Sequence, residues 1–525
     1  MAFRLGFSNG FSSKVAMAKA EYPLILGLDL GTTSVKATLI DSNGLVLSEN
    51  SEAYPTDSPR PGWHEQDPRM WWRKAQEVVR VLIEKAKVDK DCVSGICVSG
   101  QMHGMVLLDG YGEVLRPAII WSDGRSREQC LQIEAEIGIK KLIEISGNRA
   151  STGFAAASFL WVRQNEPVVA YSARKLLLPK DYVRMMLTGD ACTDFSDASG
   201  SLLLDVRRRC WSQELASAAG VGLDVLPEIK GSDEVAGELS GRAAELLGLK
   251  PGVEVATGGG DSMVGALGCG VMRRGTWSVN IGTGGQILSP TEEPTTDPEG
   301  RVNTFCHVAH DMWVLQGSIL SAGLSLRWFR NALGTEEAEV SRLCGIDVYD
   351  LLTSEAATAP PCSDGLLFLP YLIGERTPHN DPNARGVFFG LNLAHDKARM
   401  VRAVMEGVAF ALRDCAAAIE DLGLTPEVLV FRGGGSRSRL WREILSNVLS
   451  RAVVSAAQLN DVSFGSCILA GTACGIWRDL RHACEKIVRY GETSFPDPRI
   501  SGMYEAQYRL YSSLYTSLGH LFRSM

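Results

Sequence analysis

Across its 525 residues the chain has no apolar run approaching the ~20 residues of a membrane span, no Cys-x-x-Cys pair and no block of basic charge. The first absence argues against a transmembrane helix. The second excludes a zinc ribbon or a dithiol redox module. The 13 cysteines are scattered and odd in number, which fits the reduced thiols of a cytoplasmic protein better than a secreted disulfide framework. With a formal net charge of -8 and 22% charged residues, nothing in the chain would follow a nucleic-acid backbone. Two motifs are missing as well: no G-x-x-x-x-G-K-[ST] string and no G-x-G-x-x-G opening a Rossmann unit. A nucleotide, if bound, is held some other way.

A chain this long, with 45% hydrophobic residues, exceeds what one core organises, so two domains and a cleft between them are expected. Clefts bind small molecules. Residues 1–21 carry Arg4, Lys14 and Lys19 with no acid before Glu21. A transit-type leader is conceivable there, but the stretch has no secretory apolar region and is expected to be a disordered, dispensable extension.

Asp29 stands out. It sits inside the run Leu24-Ile25-Leu26-Gly27-Leu28, which reads as a core strand, and just before Leu30-Gly31-Thr32-Thr33. A buried carboxylate is costly, whereas a Gly-Thr-Thr turn at a strand end offers N–H groups and hydroxyls of the kind that hold phosphates and their metal. A structural Asp bonded to its own turn fits the same string, and both readings stand. Val35 to Leu47 supplies two further alternating runs around Asn43-Gly44, a meander that opens a sheet.

A second strand and turn lies far downstream, Trp277 to Leu288, with Asn280 over Asp29, Gly282 over Gly31 and Thr283 over Thr32. Each unit opens one half of the chain, which suggests duplication. Two strand-to-helix turns are rich in glycine: Gly258-Gly259-Gly260-Asp261, and Gly433-Gly434-Gly435 before a helix carrying Leu440, Trp441, Ile444, Leu445 and Val448 at helical spacing. Such glycines permit close packing or close approach to a ligand. Asp261 suits a helix N-cap, and His103, following the strand Val93 to Ser99, suits a packing role.

These pieces, together with Gly100-Gln101-Met102-His103-Gly104 and Trp121-Ser122-Asp123-Gly124-Arg125, occur in an order that resembles the FGGY carbohydrate kinases from about Pro23 to beyond Ala470. Within that family they are most like the members acting on D-xylulose. The resemblance implies an α/β fold of two actin-like, ribonuclease-H-like domains, the first (22–273) binding sugar and the second (274–515) binding ATP, with the boundary near Arg273 and catalysis in the interdomain cleft. It implies ATP-dependent phosphorylation of D-xylulose to D-xylulose 5-phosphate, with another ketose or polyol such as ribulose or sedoheptulose as the alternative acceptor. An actin-like ATPase or a sugar sensor is the rival of a different class.

By the same resemblance Asp261 is the catalytic base and also touches substrate, Asp29 acts near Mg²⁺ through water, and Met102 and His103 contact the sugar. Thr32, Thr33, Gly282, Thr283, Gly434 and Gly435 contact ATP. The expected ligands are ATP, Mg²⁺ and a small ketose, with no nucleic acid or membrane partner, and a homodimer is a further expectation. Three positions depart from the family's usual residues: Ser158, Ser122 and Arg399. The loop from Gly374 to Leu391 also matches the family and is expected to brace the cleft rather than to do chemistry.

Overall fold

The computed structural model describes residues 23–458 and 461–524; the extension expected at residues 1–21 lies outside them. Two sheets form the frame. The first runs in the order Val235–Glu238, Glu254–Ala256, Val93–Gly100, Leu24–Leu30, Ser34–Asp41, Val46–Ala53. The second runs Asn303–Cys306, Trp313–Ile319, Gly285–Thr291, Thr276–Ile281, Val428–Arg432, Ala452–Ala456, Tyr490–Ser494. In each, the opening strand pairs antiparallel with its hairpin partner on one side and parallel with a later strand on the other. The register also repeats: Asp29 faces Lys36 one step before the end of its hairpin pairing, as Asn280 faces Gln286. The alignment of the two halves in sequence is therefore an alignment in space.

Strand alternation explains where Asp29 points. Leu24, Leu26, Leu28 and Leu30 enter one core with Trp71, Val78 and Leu82 of the Pro68–Ala86 helix, while Ile25 packs with Phe464, Cys467 and Ile468 of the Asp461–Ala473 helix. With a side-chain period of two, Gly27 and Asp29 share the face of Ile25. Gly27 has to be glycine, because a Cβ there would lie 2.0 Å from the Ser463 carbonyl oxygen. Thr38 Oγ1 lies 2.7 Å from Ser463 Oγ, and Ser466 Oγ donates to the Leu28 carbonyl at 3.0 Å.

Chain order and spatial order thus part company, since a helix from the second half covers the first half's sheet. The Asp261–Gly268 helix in turn packs through Met263, Val264 and Leu267 against Leu288, Val314 and Val430 of the second sheet. These two helices cross at glycines. A Cβ on Gly465 would sit 2.1 Å from the Val264 carbonyl oxygen, and one on Gly268 would sit 2.0 Å from that of Asp461. Gly465→Ala is therefore expected to force the helices apart at a cost of ~1–3 kcal/mol. A urea midpoint that drops at unchanged m-value would show it, and an unchanged midpoint would mean the crossing relaxes freely.

Candidate active site

The strands of both sheets deliver charged groups to this crossing. Asp261 is the first residue of its helix, with Gly260 in the cap position, so the N-cap expectation is corrected by one residue. Its Oδ1 accepts from the Ser262 amide at 2.6 Å. Burial pushes its carboxyl up to about 6, against the opposing pull of the Ser262 hydrogen bond and of Arg432. Asp29 is 6% exposed, and Oδ1 has no hydrogen-bond partner among the described residues. Burial raises it to about 7, with Lys36 pulling down and Asp261 and Asp461 pushing up.

Arg432 and Asp461 went unnoticed in the sequence. Arg432 ends its strand on the face of Val430, donates to Ser278 Oγ at 2.8 Å and pairs with Asp461 Oδ2 at 2.7 Å. The available signal was the one that revealed Asp29: a charge ending an apolar strand, here Val428-Leu429-Val430-Phe431-Arg432.

Beneath the Gly258–Asp261 turn lies a second charge cluster that sequence reading missed. Lys180, fully buried, places Nζ 2.6 Å from Asp181, 3.0 Å from Asp194 and 3.7 Å from Asp197. Arg184 pairs with Asp181 and donates to the Thr257 carbonyl at 3.1 Å, and the Gly260 amide donates to Ser196 Oγ at 3.0 Å. The network fixes the turn's backbone and hence the start of the Asp261 helix. Nothing in local sequence distinguishes such lysines and aspartates from surface ones.

The Gln-Met-His-Gly segment leaves its strand beside this turn, since Gly100 makes a parallel bridge to Gly260. A Cβ on Gly260 would meet Met102 Cγ at 2.7 Å. His103 adopts a left-handed backbone (φ 74), stacks on Phe154 with centroids 4.2 Å apart, and has Nδ1 2.7 Å from the Gly200 carbonyl oxygen. A carbonyl can only accept, so Nδ1 carries the proton and Nε2 is left as an acceptor. Burial holds the imidazole down at about 4, neutral across the physiological range.

Gly282, Thr283, Gly434 and Gly435 come together as the wall of a cavity of about 360 Å³, with Leu324, Tyr349 and Trp441 as apolar and aromatic lining. Thr32 and Thr33 are not part of that wall; Thr32 Oγ1 accepts from Trp121 Nε1 at 2.8 Å, beside the Asp29 strand end. Of the departures from family usage, Ser158 is buried in the Ala155–Asn165 helix that follows Phe154. The Ser122 carbonyl oxygen lies 2.9 Å from His64 Nδ1. Arg399 pairs with Asp364 and Asp396 at the surface, away from the groups described above.

The sequence pattern of the FGGY family of carbohydrate kinases matches in two parts, its N-terminal domain over residues 24–268 and its C-terminal domain over residues 277–474. The chain belongs to that family. It is accordingly a carbohydrate kinase, a phosphotransferase dependent on ATP, with the two-domain actin-like fold. A xylulose kinase of Bacillus subtilis is 34% identical over 492 residues, covering 94% of this kinase and 96% of that protein. A gluconokinase of the same organism is 32% identical over 458 residues, covering 86% and 88%. The crystal structure of a xylulose kinase from Rhodospirillum rubrum superposes with a TM-score of 0.85 at 31% identity, covering 95% of this kinase and all of that chain. No helix among the described residues is long and apolar enough to cross a membrane.

Proposed function

We propose that this kinase transfers the γ-phosphoryl group of ATP to the terminal hydroxyl of D-xylulose, with Asp261 as general base. The observation that carries the reading is the packing of the Met102–His103 segment directly on the turn that launches Asp261, with the glycine-walled cavity on the second sheet. The xylulose kinases among the relatives support the choice of sugar.

Phosphoryl transfer needs positioning and charge stabilisation more than covalent work by the protein. Asp261, ionised above its value of about 6, takes the proton from the attacking hydroxyl. Met102 supplies an apolar wall beside it, and His103 Nε2 accepts from a sugar hydroxyl farther along the chain of the substrate. Gly434 and Gly435 let the nucleotide approach the backbone, while Tyr349 and Trp441 give the base an aromatic and apolar seat.

A Mg²⁺ ion fits the unpartnered Asp29 Oδ1. Among the described residues no group of three His, Cys, Asp or Glu side chains could hold a metal ion, so such an ion would take Asp29, water and phosphate oxygens. When bound, it would neutralise charge on the transferring phosphoryl group. The domain limits expected near Arg273 and at 515 also belong to this proposal; the last helix, Pro498–Phe522, passes 515 without a break.

The direct test is ATP consumption by the purified protein with D-xylulose, D-ribulose, sedoheptulose, glycerol and D-gluconate. D-xylulose should give the highest kcat/KM, and preference for another acceptor would reassign the substrate. In the same assay His103→Ala should raise the ketose KM about tenfold, the effect of one hydrogen bond lost from a buried partner, with the ATP KM little changed. Equal rises in both constants would place His103 outside the sugar subsite.

A further inference from the structure

The order of the first sheet sets Leu24–Leu30 beside Val93–Gly100, and Val93–Gly100 beside Glu254–Ala256. In the parallel pairing of the first two strands, Asp29 is the register partner of Ser99. Alternation gives both side chains one face. Ile25 and Cys97, at even spacing before them, pack in one core with Phe464, Cys467 and Ile468, so Asp29 and Ser99 are turned to the side of the sheet that the Asp461–Ala473 helix covers. One step further on, Gly100 bridges to Gly260, the residue before Asp261. The middle strand thus carries Ser99 between the Asp29 strand end and the turn that launches Asp261.

Neither side chain is satisfied by its surroundings. Ser99 is fully buried, and among the described residues its Oγ makes no hydrogen bond; Asp29 Oδ1 makes none either. On the covering helix the polar groups are engaged elsewhere. Ser466 Oγ donates to the Leu28 carbonyl, Ser463 Oγ lies 2.7 Å from Thr38 Oγ1, and Asp461 pairs with Arg432 through Oδ2 while accepting from the Val462 amide through Oδ1. A buried hydroxyl without a partner is destabilising, and folded proteins keep few of them. An alanine at that position would carry no such cost.

Neighbouring strands run ~4.8 Å apart, so a hydroxyl and a carboxylate oxygen on register partners can both bond one water at ~2.8 Å. A buried water needs more than two polar contacts to be well held, and a cation supplies the third. A cation-bound water gives its lone pair to the metal and turns both protons outward, where the Asp29 carboxylate and the Ser99 oxygen can each accept one.

We propose that Ser99 is a positioning residue of the cation site: its hydroxyl and Asp29 Oδ1 hold one water between them, and that water is a ligand of the divalent cation. The inference rests on the placement of Mg²⁺ at Asp29 proposed above and extends it to a residue that touches neither nucleotide nor sugar. Ser99 acts by fixing where the water sits, and the water in turn fixes the cation against the phosphates.

The test compares Ser99→Ala, Asp29→Asn and the double variant. Stability is read first, by urea titration of the nucleotide-free and metal-free proteins. Ser99→Ala should match or exceed the wild-type midpoint, because deleting an unpartnered hydroxyl leaves no buried group unpaired. Steady-state kinetics with the preferred acceptor of the screen above should then show kcat/KM for Mg²⁺–ATP lowered about tenfold or more, the usual scale for a group that orients a metal's ligand. The acceptor KM should stay close to wild type. In the double variant the loss should be no greater than in Asp29→Asn alone, since Ser99 acts through Asp29. A lower urea midpoint in Ser99→Ala would make the hydroxyl a structural bond and overturn the proposal. So would a wild-type kcat/KM, an equal rise in the acceptor KM, or losses that multiply in the double variant. Wild-type Mg²⁺ dependence in Asp29→Asn would remove the cation from Asp29 and overturn both readings, whereas a defect confined to Asp29→Asn would keep the cation there and dismiss Ser99 alone.

Discussion

Asp261→Asn is expected to give a folded kinase that binds sugar and nucleotide normally but turns over ~10²–10⁴-fold more slowly, the usual scale of a general base. The exchange keeps the shape of the side chain and its hydrogen bond from the Ser262 amide, so the start of the helix should survive. A pH profile gives an independent check. Burial raises the Asp261 carboxyl to about 6, and the ionised form is the active one, so the acid limb of wild-type kcat/KM should carry two ionisations, that of Asp261 and that of Asp29 at about 7. The variant should lose the lower of the two and keep the upper. The helix dipole alone would have kept Asp261 ionised well below pH 6, but here desolvation outweighs it. Near-normal turnover in the variant would return Asp261 to a purely structural part in beginning its helix.

What was readable in the sequence is what a short stretch can encode. Asp29 announces itself because a charge set among apolar residues contradicts the pattern around it, and the paired Gly-Thr turns reveal the duplicated topology because glycine and hairpin spacing are local signals. Gly282, Thr283, Gly434 and Gly435 could be grouped by resemblance, and the cavity they wall is seen directly in the structure. The exchange of helices between sheets was not legible, since nothing in Asp461–Ala473 states that it lies on a strand more than 400 residues earlier in the chain. For the same reason the Arg432–Asp461 pair and the Lys180 cluster escaped notice: their meaning comes from partners that only folding brings near.

Asp29→Asn should trade activity for stability, with a pH dependence that separates the two effects. The carboxyl is buried and lies near Asp261 and Asp461, and its folded-state value is raised from 3.8 to about 7. Folding therefore favours the protonated form. The stability this supplies is fully present below about pH 4, declines as pH rises through 7, and leaves above 7 the full cost of a buried carboxylate whose Oδ1 has no partner among the described residues. An amide of the same shape carries no such cost. The Asp29→Asn protein should thus match wild type near pH 4 and exceed it at pH 8 by on the order of a few kcal/mol, since each tenfold change in proton affinity corresponds to about 1.4 kcal/mol. Urea titrations of the nucleotide-free and metal-free proteins at both pH values would show the difference. Activity should move the other way, by about a hundredfold or more, because the neutral amide is a poor partner for a divalent cation beside the phosphates. A gain in stability with lost activity is the mark of a residue kept for function at a cost to the fold. If the variant were instead less stable at pH 8, Asp29 would be a structural carboxylate of the strand end, and the metal would have to be held elsewhere.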